Sequence, residues 1–142
     1  MSENLKVVFD TQIYLRAAIN PNSICGKLFA NWSEAYVLYV ADEIEAEILN
    51  VFARSKIREK FPQITDQTVV DIKSTLARAE RITLEEIPSI SRDPKDDIFL
   101  ACAKAAQASY LISEDNDLLV LKQYEATTII NALEFLQLLE TR

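Results

Sequence analysis

Leu5-Lys6-Val7-Val8-Phe9-Asp10-Thr11 reads as a short strand that stops at an acid. Four of its first five residues are apolar and two are adjacent β-branched valines, the pattern of a strand buried on both faces. A carboxylate therefore stands at a strand's carboxyl end, and in open α/β sheets ligands bind in the crevice outside those ends. The competing account is structural: Asp is a good N-cap, so Asp10 can equally serve the helix that follows.

Downstream of Asp10, helix and strand signals alternate. Residues 12–19 read as a helix ending before the turn cluster Asn20-Pro21-Asn22-Ser23, and residues 24–33 as a second short helix. Tyr36-Val37-Leu38-Tyr39-Val40 is a β-type run, followed by a helix over 42–53 in which Asp42 and Glu45 form a capping box. Ile44, Ile48, Val51 and Phe52 make its apolar face, and Glu47 falls on the rim of that face, about 60° from Ile44 on a helical wheel. A long acid in that place either joins a site or snorkels to solvent. Arg54, Lys56, Arg58 and Lys60 then form a basic cluster, which reads as a solvated face or as a grip on phosphates. Residues 65–79 are an amphipathic helix capped by Thr65, with Val69, Ile72, Leu76 and Ala79 on one stripe.

Residues 81–84 read as a short edge strand and 85–92 as a loop. In Asp93-Pro94-Lys95-Asp96-Asp97-Ile98, Asp93 is the N-cap, Pro94 the first helical residue, and two further acids occupy the first turn, where the helix dipole favours them. Capping accounts for Asp93 but not for three acids together. Residues 98–106 are apolar nearly all round and rich in alanine, as expected of a helix lying close on a sheet. Ser109-Tyr110-Leu111-Ile112 is a strand that runs into Ser113-Glu114-Asp115-Asn116-Asp117, so carboxylates again arrive at a strand's end. Residues 127–130 are the last strand, and Asn131 with Glu134 caps a final helix whose Leu133, Leu136 and Leu139 point one way.

The 142 residues are read as a single domain spanning 1–142, with 49% apolar and 26% charged residues as in a globular protein. No apolar run approaches the roughly 18 residues a bilayer span needs, and the first residues form no signal-type block, so a cytoplasmic protein away from membranes is expected. Cys25 and Cys102 are far apart and lack metal-type spacing, and are expected to be reduced, buried small residues. Two absences exclude more. With no histidine, Ser-His-Asp, Cys-His and imidazole-based chemistries are ruled out, leaving carboxylates, lysine or metal for acid-base work. With Gly26 as the sole glycine, neither a P-loop nor a dinucleotide fingerprint can be built. The net charge of -7 opposes indiscriminate binding of polyanions but is compatible with cation binding.

Alternating strands and helices make a parallel sheet between helical layers the economical α/β fold. In such a sheet all strand ends of one kind share an edge, which brings Asp10 and Asp115 together, with Asp96 on a helix N-terminus and Glu47 on a neighbouring helix able to join them. Acids without histidine match the oxygen preference of magnesium or manganese.

Val8-Phe9-Asp10-Thr11, Glu47 within its helix, residues 93–101 and Ser113-Glu114-Asp115-Asn116-Asp117-Leu118-Leu119 together resemble the PIN-domain ribonucleases, and most of all the VapC-like toxins of toxin-antitoxin pairs. The resemblance spans almost the whole chain and lies in order and spacing. It implies a three-layer α/β/α domain of strand order 3-2-1-4-5, and metal-dependent hydrolysis of single-stranded RNA with Mg2+ or Mn2+. The residues carried over are Asp10, Glu47, Asp96 and Asp115 as catalytic metal ligands and Asp117 as a fifth acid, with Thr11 and Ser113 in support. Asp97 is the alternative to Asp96, which is preferred because it lies seven residues before Ala103, the family's recurring alanine. A homodimer and a small antitoxin that covers the acids with an Arg or Lys are further implications. The sequence departs from the family pattern at Gln12 where Asn is usual, Ser113 for Thr and Glu114 for Gly, and the last bears on the geometry of the site and the approach of substrate.

Three other readings compete with this one. A haloacid-dehalogenase-type phosphatase needs a second acid two residues after the first, where Gln12 stands; a receiver domain needs its Asp after a middle strand, where Ala41 stands. The third is an inert PIN-fold scaffold that binds RNA or protein, and the presence of all four acids argues against it.

Overall fold

The computed structural model describes residues 4–142. β1 (Leu5–Phe9) is the central strand, with β2 (Tyr36–Val40) and β4 (Tyr110–Ile112) parallel to it on either side. Val7, Val8 and Phe9 are all 0% exposed, and since successive side chains of a strand point to opposite faces, both faces of the sheet are covered. β3 (Glu80–Arg81) pairs with β2 and β6 (Thr127–Ile130) with β4, again in parallel. β5 (Gln123–Tyr124) lies antiparallel to β6, so the six-stranded order is β3-β2-β1-β4-β6-β5. The five parallel strands follow the expected order 3-2-1-4-5, and β5 is an addition at the edge. It left no mark in the sequence because the left-handed residues beside it are Lys122 and Glu125, at φ 62° and 52°, rather than glycine.

Helices flank this sheet. α1 (Thr11–Ile19), α2 (Ile24–Ala30) and α8 (Ala132–Glu140) gather around an aromatic cluster in which Phe9 meets Phe29, Tyr36 and Phe135 at centroid distances of 5.4, 5.3 and 6.2 Å. α3 (Asp42–Ala53), α4 (Ser55–Lys60) and α5 (Asp66–Arg78) follow β2. α6 (Asp97–Ala106) packs on β1, β2 and β4, and its buried Ala103 and Ala106 let the helix approach closely. It ends at left-handed Gln107, φ 54°, after which Ala108 N donates to Ala103 O at 2.9 Å. α7 (Asn116–Leu119) is a single turn anchored by fully buried Leu118.

Thr65 caps α5 as expected, and Asn131 and Glu134 form the expected capping box on α8. Three local expectations are corrected. Asp42 and Glu45 do not cap α3: its N-cap is Ala41, and both carboxylates are drawn to Arg81 of β3, at 3.2 and 2.8 Å, a cation 39 and 36 residues away that no local pattern reveals. The edge strand is Glu80–Arg81 rather than 81–84, although Ile82 N still donates to Val40 O at 2.9 Å. On α8 the buried residues are Ala132, Phe135 and Leu139, while Leu133 is exposed, because the aromatic cluster selects the face carrying Phe135.

Candidate functional site

The sheet's hydrogen bonding runs past the ends of β1 and β4. Asp10 N donates to Ile112 O and Ser113 N to Ile130 O, both at 3.0 Å, which sets Asp10 beside the 113–117 turn. Asp10 is 3% exposed. Its Oδ1 accepts the Ile13 N–H at 3.3 Å and its Oδ2 accepts the Ser113 hydroxyl at 2.5 Å, so the residue caps α1 and faces the site together. The two readings of Asp10 are thus compatible.

Ser113 links the two segments. While its hydroxyl donates to Asp10, its Oγ accepts the Asp115 N–H at 2.9 Å. Asp115 Oδ1 in turn accepts the Asp117 N–H at 2.9 Å and caps α7, an arrangement that turns both acids toward one place. Asp96 comes from a different element. Asp93 opens a 3-10 turn, Pro94–Asp96, by accepting the Lys95 N–H at 3.0 Å, and that turn delivers Asp96 just ahead of α6. Carboxylate oxygens of Asp96, Asp115 and Asp117 all lie within 4.8 Å of one another.

The neighbouring acids behave differently. Asp97 is buried, but its Oδ1 accepts the N–H groups of Ile90 and Ser91 at 3.3 and 2.7 Å, which holds the 82–93 loop against the start of α6. Asp10 joins the three acids through Ser113 and through the field it shares with Asp96 and Asp115 rather than as a member of the three-oxygen group. Glu47 is half-buried on α3, outside that group, and among the described residues has no hydrogen bond or ion pair. Thr11 Oγ1 is buried beside Asp10 without a partner. In the basic cluster Arg54 holds Asn50 and Arg58 holds Asp66. Glu114, where the resembled family has glycine, turns its carboxylate to a distant backbone donor: its Oε1 accepts the Ala132 N–H at 3.3 Å.

Burial dominates the electrostatics. It pushes the Asp10 carboxyl from 3.8 to about 7, against the pull of the Ser113 hydroxyl and the Ile13 and Glu114 N–H groups, and the Asp115 charge adds to the rise. Asp96 is driven well above its ordinary range by burial first and then by the facing carboxyl of Asp115. The thiols of Cys25 and Cys102 are pushed up to about 11 and about 12, chiefly by burial, which keeps them protonated and unreactive.

Asp96 Oδ2 is buried and has no hydrogen-bond partner. A buried carboxylate oxygen left alone beside two more acids is unfavourable unless something positive joins it. The set fits a hard divalent cation, since oxygens about 2.1 to 2.5 Å from a common ion lie up to roughly 4 to 5 Å apart. All-oxygen donors without nitrogen or sulfur favour magnesium or manganese over zinc.

The family model of the PIN domain matches residues 6–117. Among solved structures, the chain is similar to VapBC2 from Rickettsia felis bound to a DNA fragment from their promoter, with 16% identity and a TM-score of 0.58 over 89% of this chain and 98% of that one. It is also similar to PAE2754 from Pyrobaculum aerophilum, with 12% identity and a TM-score of 0.55 over 99% of this chain and 100% of the other. At these identities the likeness is one of fold. No curated protein matches it by sequence.

Proposed function

The chain belongs to the PIN domain family, and from that premise we propose that it is a divalent-metal-dependent endoribonuclease acting on single-stranded RNA, the toxin of a toxin-antitoxin pair. PIN domains are generally nucleases that use divalent metals. The observation that carries the proposal here is the partnerless, buried Asp96 Oδ2 facing Asp115 and Asp117.

In this reading Asp96, Asp115 and Asp117 hold Mg2+ or Mn2+, with Asp10 as the adjoining acid and Glu47 completing the set from α3. Bound there, such a cation would supply positive charge against the phosphodiester and its leaving oxygen. The protein's own groups prepare that place. Ser113 Oγ holds Asp10 Oδ2 and the Asp115 main chain in one arrangement. Thr11 Oγ1, free of any partner, is a donor for a phosphate oxygen at the start of α1. Asp97 keeps the loop before α6 in place and so sets the position of Asp96.

The partners follow from the same chemistry. A cluster of partly buried acids suits an inserted Arg or Lys from an antitoxin, and the proposal includes a homodimer in the cytoplasm. Among the described residues no helix is long and apolar enough to cross a membrane.

The test is cleavage of single-stranded RNA by the purified protein. Cleavage with Mg2+ or Mn2+ that EDTA stops, and that Asp10→Asn and Asp96→Asn lose while staying folded, is the expected result. Cleavage persisting in EDTA excludes the metal mechanism, and a folded protein that binds RNA or protein without cleaving supports the inert scaffold.

A further inference from the structure

Glu114 stands where the resembled family has glycine, immediately before Asp115. A fourth acid beside Asp96, Asp115 and Asp117 would crowd the cluster and repel an anionic substrate. The structure disposes of its carboxylate differently. Glu114 Oε1 accepts the N–H of Ala132 at 3.3 Å, across 18 residues of chain.

Ala132 is the first residue of α8, a position whose N–H has no partner within the helix. The capping box meets two neighbouring donors locally: Asn131 Oδ1 accepts the Glu134 N–H at 2.8 Å, and Glu134 Oε1 accepts the Asn131 N–H at 3.1 Å. The Ala132 N–H is left over from that box. Ala132 is 1% exposed, so its donor needs a protein partner or suffers the loss of hydration. An anionic acceptor at a helix N-terminus is also favoured by the helix dipole.

The far end of this link is rigid. α8 is seated in the core by Phe135 and Leu139, and Phe135 packs against Phe9 and Tyr36. At the near end, the residues on either side of Glu114 are tied together, since Ser113 Oγ accepts the Asp115 N–H while its hydroxyl donates to Asp10 Oδ2. One residue thus joins the acid-bearing turn to a helix buried against the central strand.

We propose that Glu114 is a positioning residue: by accepting the Ala132 N–H it fastens the 113–117 turn to the start of α8 and sets the separation of Asp115 and Asp117 from Asp96. The proposal rests on reading those acids as a metal centre. A glycine at this place removes the turn's side-chain tie to α8 and leaves the bonds of Ser113 and Asp115 and the packing of Leu118. The added acid is therefore a strut rather than a ligand.

Mn2+ binding to the full chain, measured by titration calorimetry and by the Mn2+ electron-spin signal, reads this directly, with RNA cleavage alongside. Glu114→Gly removes the acceptor. Ala132→Pro removes the donor from the other side, and proline suits the first helical position, so α8 is kept. Each single change is expected to weaken Mn2+ binding by about 10-fold, the scale on which groups orienting metal ligands act. Glu114→Gln, which keeps an acceptor of the same reach, is expected to restore it, and the double variant Glu114→Gly with Ala132→Pro should be no worse than either alone. Cleavage in the two single variants should fall in kcat, with KM for RNA nearly unchanged.

Unchanged Mn2+ affinity in Glu114→Gly, or losses that add in the double variant, overturns the proposal. So does tighter RNA binding in both Glu114→Gly and Glu114→Gln with Mn2+ binding unaltered, which would make Glu114 a charge barrier. A chain that binds Mn2+ and responds to the variants as expected but cleaves no RNA refutes the ribonuclease reading and leaves the strut standing. A chain that binds no Mn2+ removes both.

Discussion

Asp96 and Asp97 are consecutive, both buried and chemically alike, yet only one of them is an unmet charge. Asp97 accepts two backbone N–H groups, whereas Asp96 has an oxygen with no partner and a second carboxyl facing it. Their roles should separate on substitution. Asp96→Asn, which keeps shape but removes charge, is expected to abolish Mn2+-dependent cleavage by orders of magnitude. In EDTA near neutral pH the same variant should be more stable than the original chain by on the order of 1 kcal/mol, and so melt at a higher temperature, because a buried carboxylate beside another acid opposes folding. Thermal melts in EDTA check this, and a lower melting temperature would show that Asp96 is a structural acceptor. The pH dependence has a definite sign. The folded Asp10 and Asp96 hold protons more tightly than their unfolded counterparts at 3.8, so the contribution to stability is full below that value and is lost as pH rises through about 7 for Asp10. Metal-free protein is therefore expected to melt lower at about pH 8 than at about pH 5, and the Asp96→Asn difference should shrink at the acidic end.

Elements near the site are set by close approaches as much as by propensity. α2 carries the chain's sole glycine, Gly26, whose N–H donates to the capping Ser23 Oγ at 3.1 Å. A Cβ at Gly26 would stand 2.1 Å from Pro21 O and 2.5 Å from Pro21 C, backbone atoms that cannot swing away. In an exposed helix Gly→Ala gains about 1 kcal/mol from propensity, but overpacking costs about 1 to 3 kcal/mol, so the clash should win. Gly26→Ala is expected to lower stability in urea titration by about 1 kcal/mol or more; an equal or higher midpoint would mean that α2 can move away from the Pro21 turn. α3 illustrates a weaker kind of tie. Arg81 spans Asp42 and Glu45 from the sheet edge, but the group is largely exposed, which leaves it more a matter of register than of stability.

For the whole molecule, a net charge of -7 with several acids at one sheet edge means that cation binding and folding are linked. An ion that binds only the folded state stabilises it by about 2.7 kcal/mol at 100 times its Kd. Mn2+ should accordingly raise the melting temperature in proportion to the logarithm of its concentration, and by more than an equal ionic strength of monovalent salt; Asp96→Asn should flatten that slope. A melting temperature that does not respond to Mn2+ would count against a metal at these residues.

The sequence by itself determined the order of the five parallel strands, the caps of α5 and α8, and the order of the acids. These are encoded by patterns a few residues long: Val7-Val8-Phe9 for a strand buried on both faces, Thr65 and the Asn131-Glu134 pair for caps, and carboxylates at the ends of β1 and β4. Alternation of helix and strand then leads to a parallel sheet, whose geometry brings Asp10 beside residues 113–117. Only the tertiary structure decided how each acid is used. The partner of Asp10 is Ser113, 103 residues away, that of Glu114 is Ala132, and that of Asp42 and Glu45 is Arg81. Such partners leave no local trace, because a hydrogen bond or ion pair is chosen by which groups the packed sheet brings within about 3 Å, not by their spacing along the chain. For the same reason Asp96 and Asp97, indistinguishable in the sequence by residue type, part company in the fold: one meets the N–H groups of Ile90 and Ser91, and the other meets Asp115 and Asp117.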